Sequence, residues 1–135
     1  YCGERNGYDK WMIGLREPGT ESVLLVLELE DMAVATSGDY ENWIMRDTGE
    51  VFSHIVDPLR HAAVEKELSS VTVISPSCTE ADALATGMMA MRKDKVIALA
   101  DTIEGVEAIV VTFSGDGYKI DHSGGAGEYI VRRQK

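Results

Sequence analysis

Apolar and polar positions divide this chain into strand-like segments at both ends and helical segments between them. "WMIGLREPG" (Trp11 to Gly19) predicts a short strand closed by a Pro-Gly turn. "SVLLVLELED" (Ser22 to Asp31) is a near-continuous Val- and Leu-rich run, the pattern of a buried strand. "MAVATSGDY" predicts a strand that stops at Ser37-Gly38. "GEVFSHIVDP" predicts another, entered after an Asp-Thr-Gly turn and halted by Pro58, which has no N–H for a sheet ladder. "LRHAAVEKE" reads as a polar connector, and "SSVTVISPS" returns to β-branched sequence.

A helix is expected next. Ser77-Cys78-Thr79-Glu80 has the capping-box form, a hydroxyl at the cap with Glu three residues on. Ala81, Leu84, Ala85, Met88, Met89 and Met91 follow at roughly helical spacing, and the methionines read as core. "KDKVIALADTI" predicts a second helix after a break near Arg92 to Asp94. "VEAIVVTF" and "GYKIDH" predict a closing hairpin around Gly115-Asp116-Gly117. Gly124-Gly125-Ala126-Gly127 is expected to be flexible, and "EYIVRRQK" to form a last edge strand. No repeat or linker interrupts this order. The expectation is one α+β domain over residues 1–135, with a mixed or antiparallel sheet and two packed helices.

Composition narrows the function classes. With 135 residues, 44% of them hydrophobic, the chain can bury a modest core. Its 23 acids against 13 bases give a net charge of −10. Binding a duplex needs a basic footprint, and only Arg132-Arg133 is locally basic, so no nucleic-acid partner is expected. The same charge repels free nucleotides, so such a ligand needs a cation or backbone donors to hold it. No apolar run reaches the ~18 residues of a membrane-spanning helix. The sequence opens on Tyr1-Cys2-Gly3 without Met or a charged-then-apolar leader, which suggests a processed or partial chain. Cys2 and Cys78 are too few for a disulfide framework and too far apart for a zinc motif.

Three places carry possible chemistry. Asp82 and Thr86 stand four residues apart and project from one helix face. A carboxylate and a hydroxyl are hard oxygen donors suited to Mg2+ or Ca2+. The macrodipole alone also favours an Asp early in a helix, and a helical Thr often bonds its own backbone. His54, between Phe52-Ser53 and Ile55-Val56, reads either as a half-buried strand histidine or as a general base or phosphate donor. His61 and His122 have no comparable setting and read as surface residues. Thr36-Ser37-Gly38-Asp39 is a turn sequence that also offers hydroxyls and backbone N–H groups to a phosphate or a ring edge. There is no nucleophile elbow, Walker A loop or dinucleotide fingerprint.

"AVATSGDYENW", "HIVDP" and "SSVTVISPSCTEADALATGMMAM" resemble, in order and spacing, the C-terminal half of the ApbE family, the FAD:protein FMN transferases. The likeness runs from about Trp11 to Phe113. It implies an ApbE-like (T-fold-like) architecture whose N-terminal half is not in this sequence. It also implies that Asp82 and Thr86, with the Ala85 carbonyl, ligate Mg2+. Thr36, Ser37, Gly38, His54 and Ile55 would line an FAD pocket, with His54 in the transfer chemistry. The family reaction splits the FAD pyrophosphate, releases AMP and joins FMN to a Thr or Ser hydroxyl of a target flavoprotein.

Two other readings stay open: an FAD pyrophosphatase yielding FMN and AMP, and a non-catalytic flavin-binding subunit. One departure bears on them. Where the family usually has a basic residue and Thr-Gly-x-Pro after the Asp-Pro, this chain reads Leu59-Arg60-His61-Ala62. The resemblance further implies FAD and a target flavoprotein as partners, and a separate N-terminal half or a second copy to cover strand edges. It implies an exported protein, periplasmic or anchored on the outer face of the cytoplasmic membrane.

Overall fold

The computed structural model describes residues 10–38, 43–45, 51–53, 56–57, 61–63, 68–115 and 117–133. Strands β1 (Trp11–Arg16), β2 (Val23–Leu29) and β3 (Ala33–Gly38) come first. Four short strands follow: β4 (Trp43–Met45), β5 (Val51–Ser53), β6 (Val56–Asp57) and β7 (Ala62–Ala63). Then come β8 (Ser70–Ser75), helices α1 (Cys78–Met89) and α2 (Lys93–Ala100), and strands β9 (Glu107–Ser114), β10 (Gly117–His122) and β11 (Ile130–Arg133).

The centre of the molecule is a four-stranded sheet in the order β10-β9-β8-β3, with every described pairing antiparallel. All six residues of β8 are buried because both faces of this sheet are covered. On one face Val71, Val73, Ala108 and Val110 pack with Ala81, Ala85, Met88 and Met89 of α1 and with Val96 and Ala100 of α2. On the other, Ile74 and Ile109 meet Leu15, Leu25, Leu27 and Leu29 from a second sheet of order β1-β2-β11. Each fully buried Leu, Ile or Met contributes about 1.5–3 kcal/mol, so the two apolar layers fix the sheet between them. The α+β expectation holds, as three layers: helices, large sheet, small sheet.

Several local expectations are refined. The Val- and Leu-rich run of β2 is buried on one face only: Leu25, Leu27 and Leu29 point inward while Leu24, Val26 and Glu28 stay half-exposed. Within "GEVFSHIVDP" the described residues are Val51–Ser53 and Val56–Asp57, both strand. Val51–Ser53 pairs with Trp43–Met45, and Val56–Asp57 pairs with Ala62–Ala63 inside the supposed connector.

The capping box closes indirectly. Ser77 Oγ accepts from the Glu80 N–H at 3.3 Å, but the Glu80 carboxylate accepts from Ser75 Oγ at 2.5 Å, and Ser75 Oγ takes the Ser77 N–H at 3.1 Å. The glycine run expected to be flexible is a 3-10 turn (Ala126–Glu128) with Ala126 fully buried. Gly124 and Gly125 donate their N–H groups to Asp101 and Glu107, and Ser123 Oγ donates to Glu107 as well. A Cβ on Gly125 would run into that Glu107 carboxylate, which would have to shift and give up its present hydrogen bonds.

Candidate functional site

The site is built on β3 and α1. A strand alternates its side chains between the two faces of its sheet, so neighbouring Thr36 and Ser37 point opposite ways. Ser37 shares its face with Ala33 and Ala35, which pack in the helix-side cluster. Its Oγ lies 3.1 Å from Thr86 Oγ1. Two segments 49 residues apart, each singled out from sequence alone, therefore meet through their hydroxyls. Asp82 is exposed one helical turn before Thr86, on the same side of α1.

Ala85 has its methyl group in the core at 0% exposure. Its carbonyl lies within the helical ladder, where the i−4 pattern already engages it with the Met89 N–H, so a second lone pair is what it can offer a cation. Met88 and Met89 are buried core residues, as expected. Among the described residues, no group of three or more His, Cys, Asp or Glu side chains is placed to hold a metal ion. Asp82 and Thr86 thus offer two accessible hard donors, a partial shell. That donor set fits Mg2+, which keeps several waters and commonly binds through one or two carboxylates plus substrate phosphates.

Thr36 faces the other way. Its Oγ1 is 2.9 Å from Thr72 Oγ1, and both line a cavity of about 200 Å³ between the two sheets. Ser70, Arg16, Leu15, Leu25 and Val111 complete most of that wall. Side chains of Thr36 and Ser37 therefore do not line one pocket, although the sequence places them side by side. Gly38 ends the strand opposite Ser70. His54 and Ile55 lie outside the described residues. His61 is exposed at φ 51°, in the short link between β6 and β7. His122, expected at the surface, is half-buried with Nδ1 2.9 Å from the Ser123 carbonyl.

Sequence reasoning missed two polar groupings. Thr72 and Ser70 are hydroxyls alternating with the valines of β8, and only the pairing of β3 with β8 brings them to Thr36 and Gly38. Asp121 has Lys93 at 3.1 Å and Lys119 at 3.5 Å. Partial burial pushes its carboxyl up, but the two ammonium charges outweigh that and hold it below the ordinary carboxylate value. Lys93 lies 28 residues away on α2, a separation that leaves no local signal.

The chain matches the family model described as the ApbE family over residues 1–110. This chain belongs to the ApbE family. Every site position named above, from Thr36 to Thr86, falls within that span. The ApbE-family relative from Vibrio cholerae serotype O1, named FAD:protein FMN transferase, is 37% identical over 111 residues, covering 81% of this chain and 33% of the relative. A Treponema pallidum protein of the same name is 36% identical, covering 76% of this chain and 28% of its own length.

Solved ApbE structures agree. The apo flavinyl transferase ApbE of Pseudomonas stutzeri matches with a TM-score of 0.74 at 34% identity, over 94% of this chain and 39% of that one. The ApbE protein of Thermotoga maritima gives a TM-score of 0.79 at 32% identity, over 96% of this chain and 41% of that one. The chain spans about a third of the length of the curated relatives it matches.

Proposed function

We propose that this chain is the metal-bearing portion of a flavin transferase that moves FMN from FAD to a Thr or Ser hydroxyl of a target flavoprotein and releases AMP. The observation that carries this reading is the Ser37–Thr86 contact, which joins the strand motif and the helix motif into one surface beside Asp82. Asp82 and Thr86 would hold Mg2+, with the Ala85 carbonyl as a further donor. Bound there, Mg2+ supplies Lewis-acid polarisation and offsets pyrophosphate charge that a chain of net charge −10 otherwise repels. Ser37, Gly38, His54 and Ile55 are assigned to the flavin nucleotide, whereas the Thr36 side chain faces the cavity on the opposite side of β3.

In the reaction, the acceptor hydroxyl oxygen forms a bond to the FMN phosphorus. The bond from that phosphorus to the bridging oxygen breaks, and AMP leaves with that oxygen. His54 takes the hydroxyl proton in this reading, since imidazole titrates near working pH. The rest of the family's length, in the same polypeptide or another, completes the pocket. A position on the outer face of a cytoplasmic membrane belongs to the same proposal.

A second reading, hydrolysis of FAD to FMN and AMP, is supported by the segment after Asp57. There the sequence reads Pro58-Leu59-Arg60-His61-Ala62, without the Thr-Gly usual in the family. One experiment separates the two. Incubation of the chain with FAD, Mg2+ and an acceptor flavoprotein is expected to leave covalent flavin on the acceptor and free AMP. AMP with free FMN and an unmodified acceptor supports hydrolysis. FAD binding without turnover indicates a non-catalytic flavin-binding portion.

A further inference from the structure

We infer that Ser37 is a positioning residue for the cation site: its hydroxyl takes the Thr86 proton and so turns a Thr86 lone pair outward, beside Asp82. This rests on the reading of Asp82 and Thr86 as cation donors and assigns Ser37 a role distinct from touching the flavin. A threonine hydroxyl has one proton and two lone pairs. Inside a helix it commonly donates that proton to the carbonyl four residues back, which here belongs to Asp82. Such a rotamer aims the oxygen along the helix and spends the hydroxyl on the backbone. A hydroxyl acceptor to one side takes the proton off the helix and leaves lone pairs for a cation.

Ser37 Oγ lies 3.1 Å from Thr86 Oγ1, a contact in which either hydroxyl can donate, and in this inference Ser37 accepts. It is held there by the sheet and not by a loop. The β3–β8 ladder fixes its register opposite Val71, and β3 runs into the sheet through Ala33 and Ala35. Those two alanines pack in one cluster with Ala81 and Ala85 of α1. Small side chains on both elements let the helix lie close enough for two short hydroxyl groups to touch. A larger residue at any of the four would hold α1 away and open the Ser37–Thr86 gap. Ligand-orienting partners of this kind typically change metal affinity by roughly 10- to 100-fold.

The test is Mn2+ binding to the 135-residue chain without FAD, read by electron paramagnetic resonance, with thermal melting as a folding check. Ser37→Ala is expected to weaken Mn2+ affinity roughly tenfold while the melting temperature stays close to that of the unchanged chain. Ser37→Thr, which keeps the hydroxyl, is expected to restore it. Thr72→Val breaks the matching hydroxyl pair on the opposite face of the same sheet and is expected to leave Mn2+ affinity alone.

If Ser37→Ala binds Mn2+ normally while Asp82→Ala loses it, the positioning role is wrong and the cation site stands. Equal weakening by Thr72→Val and Ser37→Ala also overturns the positioning role, because the effect is then general loosening of β3. If the unchanged chain binds no Mn2+, or Asp82→Ala binds it normally, the cation reading falls and this inference falls with it.

Discussion

The two faces of β3 make a natural comparison. On each face a β3 hydroxyl meets a threonine hydroxyl from elsewhere in the chain, Ser37 with Thr86 and Thr36 with Thr72, at 3.1 and 2.9 Å. The local chemistry is nearly the same. The surroundings are not. Ser37 and Thr86 lie at the rim of a helix beside the exposed carboxylate of Asp82, whereas Thr36 and Thr72 share a cavity wall with Leu15, Leu25 and Val111. A hydroxyl pair in that wall, with Arg16 and Ser70 as its polar neighbours, satisfies two polar atoms. Beside an accessible carboxylate, the same pair leaves Thr86 and Asp82 as neighbouring hard oxygens on one helix face, the basis of the proposed cation site. The carboxylate beside one pair, against Arg16 and apolar side chains around the other, separates a structural pair from a candidate cation site.

The largest expected effect tests the helix side. Asp82→Ala is expected to reduce Mg2+-dependent FAD turnover by roughly a hundredfold or more, since metal stabilisation of transition-state charge is worth several kcal/mol. Asp82 is exposed, so its melting temperature should hardly change. Normal turnover in this variant would erase the distinction between the two faces.

The cavity side is expected to respond in the opposite sense. Thr72→Val removes one hydroxyl and keeps the volume, so turnover should stay near normal while stability falls by about 1 kcal/mol in denaturant titration. A large loss of turnover with unchanged stability would instead make the cavity part of the active surface.

The smallest effect concerns the far end of the same sheet, where Asp121 pairs with Lys93 and Lys119. Its folded carboxyl sits below the ordinary value of 3.8, so the unfolded chain takes up this proton first as pH falls. The stabilisation is fully present above that value and is lost as pH drops through the folded one. Stability measured from pH 6 downward should therefore fall less steeply in Asp121→Asn than in the unchanged chain, with the difference confined to the acid end. Identical acid limbs would show that these partly exposed pairs contribute nothing measurable.

Legibility in the sequence followed the range of the interaction. Period and punctuation are local, so α1 starts where Ser77 and Glu80 indicate, and β8, β9 and β10 lie within one or two residues of their apolar runs. Asp82 and Thr86 were legible as a pair because helical spacing alone puts them on one face. The pairing of Val56–Asp57 with Ala62–Ala63 was not legible, because Ala62–Ala63 carries no strand pattern and pairs only through proximity. The order of Gly124-Gly125-Ala126-Gly127 was hidden for a related reason. Glycine composition reads as freedom, but the acceptors that fix this turn, Asp101 and Glu107, lie about 20 residues upstream.

Sequence by itself thus determined the α+β class, the order of the longer strands and the two helices, the acidic balance that argues against a nucleic-acid partner, and the residues able to act as hard oxygen donors. These depend on side-chain chemistry and on contacts within a few residues. Tertiary structure alone decided that Ser37 and not Thr36 faces Thr86, that a second sheet covers the far face of β8, and that Thr72 shares a wall with Thr36. Register supplies the reason. A one-residue slip of β3 against β8 would exchange its faces, and register is set by the packing of both sheet faces, which no single segment encodes.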